Sequence, residues 1–195
     1  MLRTIAAGFV MAVITVVLPS AAQAASTATV YVDSGTAFYR AGWNEQNHVR
    51  VWLTAEGNMV IYDSGAPVTA IPDPNGPDVC TQLSAHKVDC GTVTGMYGAL
   101  NNGDDWASFD IFQPQYTVTW NGGAAQDFLR GGAGPDTLIG DADGNQNGTT
   151  APWVNEVAYG RGGNDTINTV SYADGGAGID RCAVFNWGSS VRCEG

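Results

Sequence analysis

Four aspartates in the second half of the chain occupy the same place in four short glycine-rich units. Asp127 is sixth in the nine residues from Gly122 to Arg130, and Asp136 is sixth in the nine from Gly131 to Ile139. Asp165 is sixth in Gly160 to Asn168, and Asp180 is sixth in Gly175 to Ala183. Each unit opens on glycine and carries an apolar residue or cysteine eighth: Leu129, Leu138, Ile167 and Cys182. Carboxylates, together with main-chain carbonyls freed by glycine-rich turns, are hard oxygen ligands. They suit Ca²⁺ better than zinc or copper.

Nine residues are too few for a helix and a turn. They fit a six-residue turn followed by a three-residue strand. The eighth residue then points inward and its strand neighbours point outward, so stacked units form a parallel solenoid with a thin apolar centre. One buried aliphatic contributes about 1.5–3 kcal/mol, whereas fixing the backbone of a single residue costs about 1–2 kcal/mol. One inward side chain therefore cannot order nine residues. Stacking also brings the sixth-position carboxylates together. A divalent cation between turns answers both problems, and its binding would be folding free energy.

These units resemble the hemolysin-type, or RTX, calcium-binding repeat G-G-x-G-x-D-x-U-x, in which U is apolar. The resemblance implies a right-handed parallel β-roll with two repeats per turn and calcium between successive turns on each side. Neighbours on one side are then two repeats apart. It implies metal-ligand roles for Asp127, Asp136, Asp165 and Asp180. It implies carbonyl roles for the loops at Gly123, Gly132, Gly134, Gly163 and Gly178. Asn102 to Ala107 reads as an earlier, degenerate unit with Asp105 sixth. The β-rich first part and the closing segment with Cys182 and Cys193 resemble the entry coils and stapled cap of secreted actinobacterial calcium-binding proteins. Ala125 stands where the repeat has its fourth-position glycine, and Arg161 where it has its second. The unit that opens at Gly140 is broken, with Asn145 sixth, and about fourteen residues then intervene before Gly160.

Other readings of the same residues are weaker. Asp141, Asp143, Asn145 and Asn147 alternate like the start of an EF-hand, but Gln146 and Pro152 occupy the places that need Gly and Glu. Asp141, Asp143 and Asn145 are instead taken as ligands of a solenoid calcium loop. Asp104 and Asp105 are adjacent and so point to opposite faces of a strand; Asp105 is the candidate ligand and Asp104 is solvated. No G-x-S-x-G or H-E-x-x-H pattern is present, and His48 and His86 are isolated. The chain is therefore read as non-catalytic. The alternative function is a calcium-dependent glycan- or cell-wall-binding module using Trp153 and Tyr159. Against that, Trp106 and Trp120 are expected to pack inside the coils, with Trp43 and Trp187 covering the ends.

The elements that must hold these units are short strands. The runs at 27–33, 49–53, 59–62, 106–111 and 116–120 favour β structure, and Glu56-Gly57-Asn58 is a turn between two of them. No segment shows a sustained 3.6-residue apolar period. The expected fold is all-β, a parallel β-roll or solenoid with a β-rich N-terminal segment and little or no helix. Glycine is concentrated after Asn121, so the expected parts are a signal peptide over 1–24, entry coils over 25–120 and the calcium roll over 121–195.

The signal peptide is read from Arg3, the apolar run Ile5 to Leu18 and the small-x-small pattern Ala22-Gln23-Ala24. It predicts export with cleavage near Ala24. The four cysteines, an even number, then favour disulfides. Of three possible pairings, the local ones, Cys80 with Cys90 and Cys182 with Cys193, are favoured. Each would be worth about 2.5–3 kcal/mol by loop entropy. The formal net charge is -11, and Lys87 is the one lysine. That excludes tracking a nucleic-acid backbone and gives nothing for an anionic membrane surface.

Overall fold

The computed structural model describes residues 27–73, 80–141 and 156–194. The expected signal peptide, Asp143, Asn145 and Trp153 lie outside the described residues, as does the side chain of Asp141. The fold is all-β, with fifteen strands and no helix among the described residues.

Two stacks of parallel strands run along the molecule and close on each other. The first stack contains β2 (Thr36–Arg40), β8 (Gly95–Ala99), β10 (Thr117–Gly123), β12 (Thr137–Asp141) and the start of β14 (Thr166–Ala177). The second contains β3 (His48–Leu53), β9 (Trp106–Phe109), β11 (Phe128–Arg130), β13 (Val157–Gly162) and the end of β14. The last strand, β15 (Arg181–Val191), follows β14 around both faces. The chain thus winds as a solenoid, and strand β10 carries the stack straight across the composition change near Asn121.

Hairpins cap the entry end. β1 (Ala28–Asp33) folds back on β2 through Ser34 and Gly35, both at positive φ. β3 pairs antiparallel with β4 (Met59–Asp63) across the expected turn at Gly57. β4 continues to β7 (Lys87–Asp89), which pairs with β6 (Thr81–Ser84). The short β5 (Val68–Ala70) adds to the free side of β1. The antiparallel additions cover the edge that the first coil would otherwise present for pairing. The cysteines form the two local pairs, Cys80–Cys90 beside the β6–β7 hairpin and Cys182–Cys193 at the far end.

The core tapers. Tyr39, Met59, Ile61, Leu100, Phe109, Ile111 and Trp120 fill the entry coils, while the later coils are filled by Leu129, Leu138 and Ile167. In the entry half, Gly98 lies in register with Trp120. A Cβ on Gly98 would stand 2.0 Å from that indole ring, so the glycine is what gives the tryptophan its space. Trp120 is inside, as its pattern predicts, but Trp106 is not. Its ring lies on the outer face between His48 and Phe128, because it is a seventh-position residue beside the inward Ala107. Trp43 is 74% exposed. The side chain of Trp187 lies outside the described residues.

Candidate functional site

The turns between strands stack into two edges, and each edge is lined by a file of buried carboxylates. On the first edge the Asn47 main-chain N–H donates to Asp105 Oδ1 at 2.6 Å, and the Asp105 N–H donates to Asp127 Oδ1 at 3.0 Å. The Asp127 N–H donates in turn to Glu156 Oε2 at 3.1 Å. On the second edge Asp136 N–H donates to Asp165 Oδ1, and Asp165 N–H to Asp180 Oδ1, both at 2.8 Å. Glu194 closes that file by accepting the Asp180 N–H at 2.8 Å. Each acid therefore ties its own coil to the main chain of the coil before it.

The local sequence explains this placement. In Gly131 to Ile139, six residues make the turn, and Thr137-Leu138-Ile139 begins β12 with Leu138 inward. The units opening at Gly122 and Gly131 fall on opposite edges, and those opening at Gly131, Gly160 and Gly175 share one. Second and fourth positions take positive φ in three of the four units: Gly123 and Ala125, Arg161 and Gly163, Gly176 and Gly178. Asn101 and Gly103, four and two residues before Asp105, do the same. Ala125 and Arg161 thus keep a glycine-type backbone without being glycine. Gly132 and Gly134 do not adopt positive φ.

The carboxylates are deeply placed. Asp105, Asp127, Asp136, Asp165 and Asp180 are all between 0% and 3% exposed, and Glu156 is 0% exposed. Asp105 Oδ2, Asp165 Oδ2 and Asp180 Oδ2 are buried with no hydrogen-bond partner. Among the described residues none of these three forms a salt bridge. Burial pushes the Asp105 carboxyl up to about 8; the Asn47 N–H opposes this, and the charges of Asp127, Asp63 and Asp104 add to it. Burial also pushes Asp165 up to about 7, against the Asp136 N–H and with the charges of Asp136 and Asp180. Asp136 reaches about 7 by burial, held down by the Gly132 and Val118 N–H groups and by Arg161. Ionised carboxylates at such spacing in a poorly solvated file repel one another and lack hydration.

First-position glycines border this file. A Cβ on Gly160 would lie 2.1 Å from Asp165 Oδ2 and 2.4 Å from the Gly175 carbonyl oxygen. A Cβ on Gly175 would lie 2.2 Å from the Arg192 carbonyl oxygen and 2.5 Å from Asp180 Oδ2. The partnerless carboxylate oxygen and the next turn's carbonyl oxygen thus face one small space that only glycine leaves open. That donor set fits a hard divalent cation. Among the described residues no three His, Cys, Asp or Glu side chains converge tightly enough to hold a metal by themselves. An ion here would depend on main-chain carbonyls for much of its shell.

The sequence-derived candidates divide as follows. Asp105, Asp127, Asp136, Asp165 and Asp180 come together in the two files. Asp104 is exposed, as expected, and accepts the Gln126 N–H. Gly123, Gly163 and Gly178 sit in the stacked turns against carbonyls of the preceding turn, those of Asn101, Gly134 and Gly163 respectively. Gly132 and Gly134 pack on the carbonyls of Ile111 and Tyr116. Sequence reasoning missed Asn47, Glu156 and Glu194 as members of the files, and missed the first-position glycines. The signal for Glu156 was available: Glu156-Val157-Ala158 repeats the order acid, outward, inward.

Tyr159, a candidate for stacking on a sugar, is half-buried. It is engaged by Phe128 at 5.4 Å and Tyr172 at 5.8 Å between ring centroids. His86 Nδ1 lies between the carbonyl oxygens of Asp63 and Ala66, at 2.8 and 2.9 Å, and so carries the proton it donates. Comparison of the chain with family models, curated proteins and solved structures found no match in any of the three.

Proposed function

We propose that this chain is an extracellular calcium-binding protein of the hemolysin-type repeat kind, whose turns take up Ca²⁺ and thereby order the thin-cored end of the solenoid. The observation that carries the reading is the pair of buried carboxylate files, with Asp105 Oδ2, Asp165 Oδ2 and Asp180 Oδ2 lacking partners. An apolar core of single aliphatics does not compensate for several desolvated carboxylates. A bound divalent cation supplies the missing positive charge. The chain's own part is to hold one carboxylate oxygen against the main chain and to leave the other facing the next turn's carbonyl. The export half of the reading rests on the N-terminal sequence pattern, and the two disulfides are compatible with it.

The test is a titration of the chain from Ala25 onward with Ca²⁺ and, separately, Mg²⁺. Calorimetry and circular dichroism are the readouts. Saturable Ca²⁺ binding in the weak extracellular class, with Kd about 10⁻⁴–10⁻³ M, is expected, with little response to Mg²⁺. Asp165→Asn/Asp180→Asn should lose part of the binding. A chain whose β signal and melting are identical in EDTA and in millimolar Ca²⁺, with no heat of binding, would sink the proposal.

A further inference from the structure

Two of the four units, Gly131 to Ile139 and Gly175 to Ala183, match the repeat consensus at every glycine; the first, which alone of the two also has an aliphatic residue eighth, holds an acid that needs no ion. Asp136 differs from Asp105, Asp165 and Asp180 in having both oxygens occupied. Oδ1 accepts the Val118 N–H at 2.8 Å, and Oδ2 accepts the N–H of Gly132, in its own turn, at 2.6 Å. The backbone differs too, since neither Gly132 nor Gly134 takes the positive φ seen at the corresponding places of the other units.

A cation is already present beside this turn. Arg161 leaves the next turn on the same edge, at a second position that the repeat gives to glycine, and holds φ +79 to do so. Its side chain passes back across the Gly131–Asp136 turn. One guanidinium nitrogen donates to the Phe109 carbonyl at 3.3 Å, and the other to Asp110 Oδ1 at 3.1 Å. The guanidinium carbon lies 5.2 Å from the centre of the Phe112 ring. Its charge acts on Asp136. A carbonyl oxygen and a carboxylate oxygen are the ligand types that an ion would use at a turn of this kind. Here a planar, permanently charged group takes them.

We propose that Arg161 is the resident cation of the turn Gly131–Asp136, held where that turn meets the preceding one at Phe109 to Phe112, so that this turn takes no metal and ion uptake on this edge is confined to the turns beyond it, at Asp165 and Asp180. The inference rests on the calcium reading above. It assigns the best-matching unit a metal-independent role: a coil locked to the entry half, from which the ion-dependent coils extend.

Counting ions decides it. Native mass spectrometry of the chain from Ala25, in Ca²⁺, would compare the wild type with Arg161→Gly, which restores the repeat's glycine and removes the internal charge. The variant is expected to carry one more Ca²⁺ than the wild type and to melt lower than the wild type in EDTA. Asp136→Asn is expected to carry the wild-type number, whereas Asp165→Asn carries fewer. Equal numbers on wild type and Arg161→Gly, or a loss of ions in Asp136→Asn, overturn the assignment while leaving the calcium reading intact. A wild type that takes up no ion at all overturns the calcium reading itself. If Arg161→Gly does not fold in either condition, Asp136→Asn decides alone.

Discussion

At the scale of single residues, the carboxyls of the two files set a distinctive pH dependence. Asp105, at about 8, and Asp136 and Asp165, at about 7, sit well above the usual carboxylate range. The folded chain therefore holds protons that the unfolded chain releases. Stability from these groups is complete below their unfolded pKa of about 4 and is lost as pH rises through about 7 to 8. In EDTA the protein is expected to melt several degrees higher at pH 5 than at pH 8, and Ca²⁺ is expected to remove or reverse that difference. Scanning calorimetry at the two pH values, with and without Ca²⁺, checks the sign. Ala125 gives a second residue-scale prediction. It is exposed and holds φ +92, a left-handed conformation that costs a non-glycine residue roughly 1–2 kcal/mol. Allowing for glycine's larger unfolded-state entropy, Ala125→Gly should stabilise by about 0.5–1 kcal/mol in a denaturant melt. The same change at Arg161 should not, because there the strain is offset by the contacts to Phe109 and Asp110. Asp110 itself is pulled up by burial but is held below the usual range by hydrogen bonds from Ser108, Arg50 and Arg161.

At the scale of elements, the strands were legible where the pattern alternates and less so where it bends. The β3–β4 hairpin follows directly from two alternating runs and Gly57. The turn between the halves of β14 has no such signature. Thr169 to Ser171 turns in three residues rather than six, and Ser171 and Tyr172 both donate their N–H to the Glu156 carbonyl. That shortening is why the units opening at Gly160 and Gly175 are fifteen residues apart and still share an edge. It also means that the last turn of the first edge brings no sixth-position acid of its own. Packing between elements yields a further expectation. Gly98→Ala would place a Cβ 2.0 Å from the buried Trp120 ring. Overpacking of this kind costs about 1–3 kcal/mol. Urea unfolding of the variant should show that loss, and Ca²⁺ should not rescue it, because the clash lies in the entry core.

At the scale of the whole molecule, the core tapers from a broad aromatic and aliphatic entry to a file of single side chains, while the buried carboxylates concentrate toward the thin end. Stability should follow the same gradient. Hydrogen exchange in EDTA is expected to find the amides of β1 to β4 and β8 protected and those of β13 to β15 exchanging fast. Ca²⁺ should slow the second group and leave the first nearly unchanged. Uniform protection across the solenoid in EDTA would contradict this division. The Cys182–Cys193 link keeps the last coil attached at the end with least core. Reducing it should raise exchange in β15 first, with the entry half still held by its own packing.

The sequence by itself determined the β class, the six-plus-three division of each unit, the inward eighth residue and the sixth-position carboxylates. These follow from periodicity and residue chemistry over nine or fewer positions, where neighbours in sequence are neighbours in space. Tertiary structure decided what depends on distant partners. Glu156 joins the file of Asp127 across 29 residues, and Arg161 reaches Asp110 across 51. Whether a carboxylate oxygen is left without a partner depends on which main-chain N–H the neighbouring turn brings to it. That is a property of how coils stack, so a unit with every consensus glycine and one with an arginine in place of a glycine can exchange the roles that their sequences suggest.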